Sequence, residues 1–224
     1  MRMKNYEQKD GKRVWLEQTE VQLLLSKLPK RETEQHIGVK LGCKGGTRRA
    51  EAAAVTPIDV VRNSNGTYHL RIWSDVEKTG EYRETPIPVE LATEINTLAN
   101  AKGLDPDEAV LDVTPKTLYR WVKRAAERCY AETGDEGWLY VDYHDLRRTW
   151  GTHLLEQGVL PSVVMTWGGW TDWETFLRHY LGEFSPEALK RERSKVDYLE
   201  GDSSVVNDPQ AHLMPVGTTH AHRS

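Results

Sequence analysis

Four short stretches of the sequence carry side chains suited to chemistry. In GGTRRAEAAAVTPIDV a glycine turn delivers Arg48 and Arg49 to the start of a helix. Forked guanidiniums at a helix N-terminus suit an oxyanion such as phosphate. In DYHDLRRTWGTHLLEQG, His144, Arg147 and Arg148 open a second helix, and a spacing of three puts His144 and Arg147 on one face. That pair suits a site that holds a phosphate and moves a proton. In EKTGEYRETPIP, Lys78 stands in a turn before a strand, where a long side chain can reach across a cleft. In GGWTDWETFLRHYLG, Trp170, His179 and Tyr180 lie between glycines, and a tyrosine hydroxyl near a helix end can serve as a nucleophile. Each stretch also has a plainer reading: surface ion pairs, a solvated loop lysine, a helix-capping histidine, a tyrosine that packs with a polar tip. A metal centre is not indicated, because Arg147 would repel a cation and no Cys or carboxylate lies at ligand spacing.

The elements that must position these residues follow from periodicity. The first 15 residues are polar and are expected to be loose and flexible. Val21, Leu24, Leu25 and Leu28 recur at helical spacing and are stopped by Pro29. A second helix fits ETEQHIGVKLGC, broken by Gly45-Gly46, and a short Ala-rich helix follows with Thr47 as its cap. The period then changes. VVRNSNGTYHLRIW surrounds the hairpin signal Asn65-Gly66, and EYRETPIP adds a third extended stretch. Further helices are expected at 89–102, 115–132, 144–158, 161–167 and 172–182, with Pro115 as a first helical residue. SPEALKRERSKVDYL fits a last short helix. The expected fold is mainly α with a small three-stranded antiparallel sheet (α+β), one domain over 16–199. Residues 200–224 lack periodicity and read as a disordered tail, including His212, His220 and His222.

The chain has 224 residues, 38% hydrophobic and 29% charged, which suits a globular domain with a core. No apolar run is long enough to span a bilayer, and the basic N-terminus lacks the apolar segment of a secretory signal. Cys43 and Cys129 are far apart and are expected to be reduced thiols in a cytoplasmic protein. The formal charge is −4, but residues 1–50 hold 12 Lys+Arg against 6 Asp+Glu, leaving 18 against 28 in the rest. A basic face on an acidic body is compatible with that split, as is a merely solvated segment. PKTLYRWVKRAAERCY sets Lys116, Arg120, Lys123 and Arg124 opposite Leu118, Val122 and Ala125.

The order of these boxes is more specific than any one of them. Arg48 and Glu51 in GTRRAEA are followed by Asp59, Lys78-Thr-Gly80, HDLRRTWGTH from His144, Gly169-Trp170 and Tyr180. Over residues 16–185 this resembles the catalytic domain of the tyrosine recombinase (phage integrase) family, and EQTEVQLLL resembles its opening helix. The family register selects Arg48 over Arg49. The resemblance implies a site-specific recombinase that cleaves and rejoins DNA through a 3′-phosphotyrosine, with no cofactor. It implies Tyr180 as nucleophile, Arg48 and Arg147 as a clamp on the phosphate, and Lys78 as the acid that protonates the leaving 5′-oxygen. His144 would take the tyrosine proton or hold the phosphate. Trp170 stands where family members carry His or Trp, and its indole N–H can donate but not shuttle a proton. Glu51 and Asp59 would orient the arginine and close a turn. Lys116, Arg120, Lys123 and Arg124 would meet DNA phosphates. The implied partners are double-stranded attachment sites and further copies of the chain, two on one site and four in synapsis, with no membrane. The family's N-terminal core-binding domain is expected to be absent, with about 15 residues ahead of the fold. A type IB topoisomerase-like relaxing activity and a non-catalytic DNA-binding regulator are the alternatives.

Overall fold

The apolar residues expected at helical spacing in the first helix are buried. A computed structural model of the protein describes residues 1–6, 10–30, 33–73, 82–174, 176 and 186–196. Helix α1 (Gln18–Ser26) buries Val21, Leu24 and Leu25; α2 (Thr33–Gly45) buries Ile37, Val39, Leu41 and Cys43. After α3 (Arg49–Ala54) the chain makes an antiparallel sheet in the order β3 (Val60–Arg62), β4 (Tyr68–Ile72), β5 (Arg83–Ile87). The β3–β4 turn is the expected one, with Asn63 N donating to Thr67 O at 2.8 Å and Gly66 at φ +83°. Then come α4 (Val89–Lys102), α5 (Pro115–Thr133), α6 (Tyr143–Glu156) and α7 (Pro161–Gly168). The mainly α fold with a small antiparallel sheet is therefore the fold observed. A further helix, α8 (Pro186–Arg193), belongs to a separate unit that begins at Ser185.

The N-terminus departs from expectation. Two stretches expected to be loose are strands: β1 (Arg2–Asn5) pairs antiparallel with β2 (Lys12–Trp15), in a second, two-stranded sheet. Val14, Trp15 and Leu16 are buried. Two backbone amides that no strand partner takes are satisfied by α6 side chains. Val14 N donates to Asp145 Oδ1 at 3.1 Å, and Leu16 N donates to Thr149 Oγ1 at 3.0 Å. A buried amide without a partner costs free energy, so the hairpin and α6 fix one another. The expected tail from residue 200 lies outside the described residues.

At the centre, α2 packs along α6 and its C-terminal turn meets the inner face of β5. Period two puts Arg83, Thr85 and Ile87 on that face, all buried. Thr85 Oγ1 donates to Gly45 O at 3.0 Å. The turn ends in Gly46, at φ +64°, where a Cβ would lie 2.3 Å from the Trp150 ring. Both the backbone conformation and the space demand glycine. Gly46→Ala is therefore expected to lower unfolding free energy by about 3 kcal/mol, read by urea denaturation; a change under about 0.5 kcal/mol would mean that the turn tolerates a Cβ.

Candidate active site

The site is organised around Glu51, which is 4% exposed. Its carboxylate reaches back to the N-terminus of its own short helix, where Arg48 N donates to Oε2 at 2.6 Å. The Arg48 guanidinium donates to Oε1 at 2.7 Å. From β5, Arg83 donates through Nη1 to Oε1 at 2.7 Å and through Nη2 to Oε2 at 2.6 Å. Burial alone would raise the Glu51 pKa. The hydrogen bonds and charge of Arg83, the charge of Arg147 and the Arg48 amide outweigh burial and hold it at about 2. Glu51 is thus ionised at every working pH and orients Arg48, as expected. Asp59 closes its turn, accepting from Thr56 N at 3.0 Å and Thr56 Oγ1 at 2.7 Å, and it also accepts from Trp73 Nε1 at 2.6 Å. Thr47 does not cap α3; it is buried and shares a hydrogen bond with Tyr143 Oη at 3.3 Å.

Arg147 approaches from α6 and is 1% exposed. Its guanidinium donates to the carbonyls of Gly46 and Gly168, joining the end of α2 to the end of α7. It lies 4.2 Å from the Trp170 ring centroid, within cation–π range. Trp170 itself packs against Phe176, with ring centroids 5.4 Å apart, and against Trp150 at 6.1 Å. It also lines a cleft of about 560 Å³ with Arg48, Arg83, Tyr82, Thr166 and Asp172. So Trp170 is both packing and cleft wall. Phe176 is fully buried, whereas Trp173 is 47% exposed.

His144 and Arg147 share a helix but not an environment. His144 sits in the first turn of α6, exposed, while Arg147 points into the protein. His144 lines a second cleft of about 300 Å³ with Arg48, Arg49, Pro115, Tyr119 and Asp142. Arg48 is therefore the residue common to both clefts. Arg49, set aside by register, lies over the Tyr119 ring at 5.8 Å. Lys78 and Tyr180 lie outside the described residues, as does His179.

Along α5, Leu118, Val122 and Ala125 are buried and Lys116, Arg120 and Arg124 are exposed, which is the expected two-faced helix. Lys123 is different. Its ammonium donates to Leu139 O at 2.7 Å and Val141 O at 3.1 Å, so it closes the turn ahead of α6. Its side chain is thus held against the protein, unlike those of Lys116, Arg120 and Arg124. Among the described residues no group of three His, Cys, Asp or Glu is placed to hold a metal ion, and no helix is long and apolar enough to cross a membrane. Cys43 and Cys129 are free and buried, and burial raises both thiols to about 11.

The model of the phage integrase family matches residues 14–185, most of the chain. The chain belongs to that family. It is 26% identical over 149 residues to tyrosine recombinase XerA of Pyrococcus furiosus, covering 66% of this chain and 50% of that one. The fold is shared with the crystal structure of XerA recombinase, at a TM-score of 0.62, 18% identity and coverage of 81% and 64%. XerH site-specific recombinase, in a post-cleavage complex with its palindromic difH substrate, gives a TM-score of 0.62 at 18% identity, with coverage of 80% and 52%. The catalytic domain of bacteriophage HP1 integrase gives 0.56 at 20% identity, with coverage of 84% and 97%. The chain thus spans half the length of the archaeal recombinase and most of the HP1 catalytic domain.

Within this family fold, Arg83 is the residue that motif reading missed. Its signal is the alternation Arg83-x-Thr85-x-Ile87, which puts a guanidinium on the buried strand face beside Thr85 and Ile87 and so calls for a buried carboxylate. Linkage sets a test of the Glu51 cluster. A carboxyl depressed from 4.5 to about 2 contributes stability that is full above pH 4.5 and lost as pH falls toward 2. Over that window the wild type is expected to lose about 3 kcal/mol that Glu51→Gln does not lose, because the variant has already forfeited it at neutral pH. Parallel stability–pH curves from chemical denaturation would refute the pairing.

Proposed function

We propose that this protein is a site-specific DNA recombinase that breaks and rejoins strands through a 3′-phosphotyrosine. The observation that carries this reading is the arginine pair. Arg48 and Arg147, distant in sequence, both come close enough to the Glu51 carboxylate to act on it, Arg48 by a hydrogen bond and Arg147 by its charge, and each is oriented by fixed partners. A phosphodiester under attack develops negative charge on its non-bridging oxygens. Two pre-oriented guanidiniums stabilise that charge without reorganising, and one such donor is typically worth about 10²–10³ in rate. In this reading the Tyr180 hydroxyl attacks phosphorus, the bond to the 5′-oxygen breaks, and Lys78 gives that oxygen its proton. His144, which lines the smaller cleft with Arg48, takes the tyrosine proton or holds the phosphate. Trp170 offers its indole N–H to the phosphate and braces Arg147 from its face. The reverse attack by a 5′-hydroxyl of another strand reseals the backbone, so the bond energy is conserved and no cofactor enters.

The partners are duplex attachment sites and further copies of the chain, dimeric on one site and tetrameric in synapsis, acting in the cytoplasm. Lys116, Arg120 and Arg124 present three charges on the solvent face of α5 for phosphate contact, which supports a salt-sensitive grip on DNA. The test is covalent trapping. Wild-type protein incubated with a pool of nicked suicide duplexes is expected to give an adduct that survives SDS, and Tyr180→Phe to give none. An adduct that persists in Tyr180→Phe, or none from wild type across the pool, would overturn the assignment.

A further inference from the structure

Arg83 makes contacts that a simple counter-ion would not. Its side chain is 5% exposed, and both terminal nitrogens are committed to Glu51. Its third nitrogen, Nε, donates to Trp167 O at 3.1 Å, near the end of α7. The next carbonyl along, that of Gly168, is held by Arg147. Two arginines from different elements therefore grip consecutive carbonyls at a helix C-terminus, where cations are favoured. Gly169 follows at φ +65°, and a Cβ there would lie 2.9 Å from Arg83 Cδ, so the arginine stem passes directly beneath the glycine that precedes Trp170. Arg83 is also the first residue of β5, next after Tyr82, which lines the same cleft.

We propose that Arg83 is a positioning residue that sets the Arg48 half of the site against the Trp170 half, through Glu51 on one side and the Trp167 carbonyl on the other. The planar guanidinium is needed for this. Three donors in a fixed fork meet three acceptors on two elements at once. A lysine ammonium keeps the charge but cannot span both Glu51 oxygens and the Trp167 carbonyl in one plane. In this role Arg83 acts through Arg48 and through the α7–Trp170 junction. The role rests on the recombinase reading.

The test separates positioning from folding and from DNA binding. Arg83→Lys, Arg83→Gln, Glu51→Gln and the Arg83→Gln/Glu51→Gln double variant are compared with wild type. The substrate is the nicked suicide duplex that wild type converts fastest from a randomised pool. The readouts are melting temperature, DNA affinity, and the first-order rate of adduct formation at saturating protein. Arg83→Gln is expected to bind DNA within about twofold of wild type while cleaving about 10²-fold more slowly, the scale of a small misplacement at a reacting centre. Arg83→Lys, which keeps the buried charge and carries the test if the Gln variant does not fold, is expected to recover only part of the rate. The double variant is expected to cleave no more than about threefold slower than Arg83→Gln, because the two residues act along one route. An Arg83→Lys or Arg83→Gln variant that folds and cleaves at the wild-type rate would overturn the positioning role alone. So would additive losses in the double variant. Wild-type protein that forms no adduct would overturn the recombinase reading and the positioning role with it.

Discussion

A carboxylate buried at 4% exposure between two guanidiniums is the constraint from which the rest of the site follows. An ionised Glu51 in the interior is tolerable only if both its oxygens are saturated by cationic donors. Arg83 supplies the bidentate pair, and Arg48 supplies one guanidinium bond and its own amide. Satisfying Glu51 thereby fixes where Arg48 points. It also fixes how β5 sits against α3 and, through the Trp167 carbonyl, where α7 ends. Positioning and stability are here the same set of bonds.

A second buried carboxylate shows what happens with fewer cations. Asp145 on α6 accepts from Val14 N, Asp142 N and the Arg148 guanidinium. Burial outweighs the Arg148 charge, and the Asp145 pKa rises to about 7, opposite in direction to Glu51. The difference lies in the neighbours: at Asp145 the Asp142 charge adds to burial against the one guanidinium, whereas at Glu51 Arg83 and Arg147 together outweigh burial. Asp145 ties the N-terminal hairpin to the same helix that carries His144 and Arg147. The short N-terminal strands therefore belong to the support of the site and are not an appendage to it.

Helix boundaries were legible because apolar period, Pro115 at a first turn and the Asn65-Gly66 signal are local features. α4 runs over Val89–Lys102 and α5 over Pro115–Thr133, matching their expected spans closely. The Arg48, His144 and Arg147 boxes were legible as an ordered pattern. What was not legible depended on contacts remote in sequence. The strands in residues 1–15 carry little alternation of their own and are held by α6 side chains. Arg83 needs Glu51 to make sense of it, and Lys123 needs the carbonyls of Leu139 and Val141. The exposure of His144 beside the burial of Arg147 was also hidden, because i,i+3 spacing does not say how far each side chain reaches into the core.

The most direct measurement is a crystal structure of the protein with a cleaved duplex and orthovanadate, which mimics phosphorus in mid-transfer. The expected complex has guanidinium nitrogens of Arg48 and Arg147 at about 2.7–3.1 Å from equatorial vanadate oxygens. Tyr180 would be apical, and Glu51 would still bridge Arg48 and Arg83. A vanadate bound away from the arginine pair, or a Glu51 carboxylate released from Arg48 and Arg83 when DNA is bound, would contradict this account.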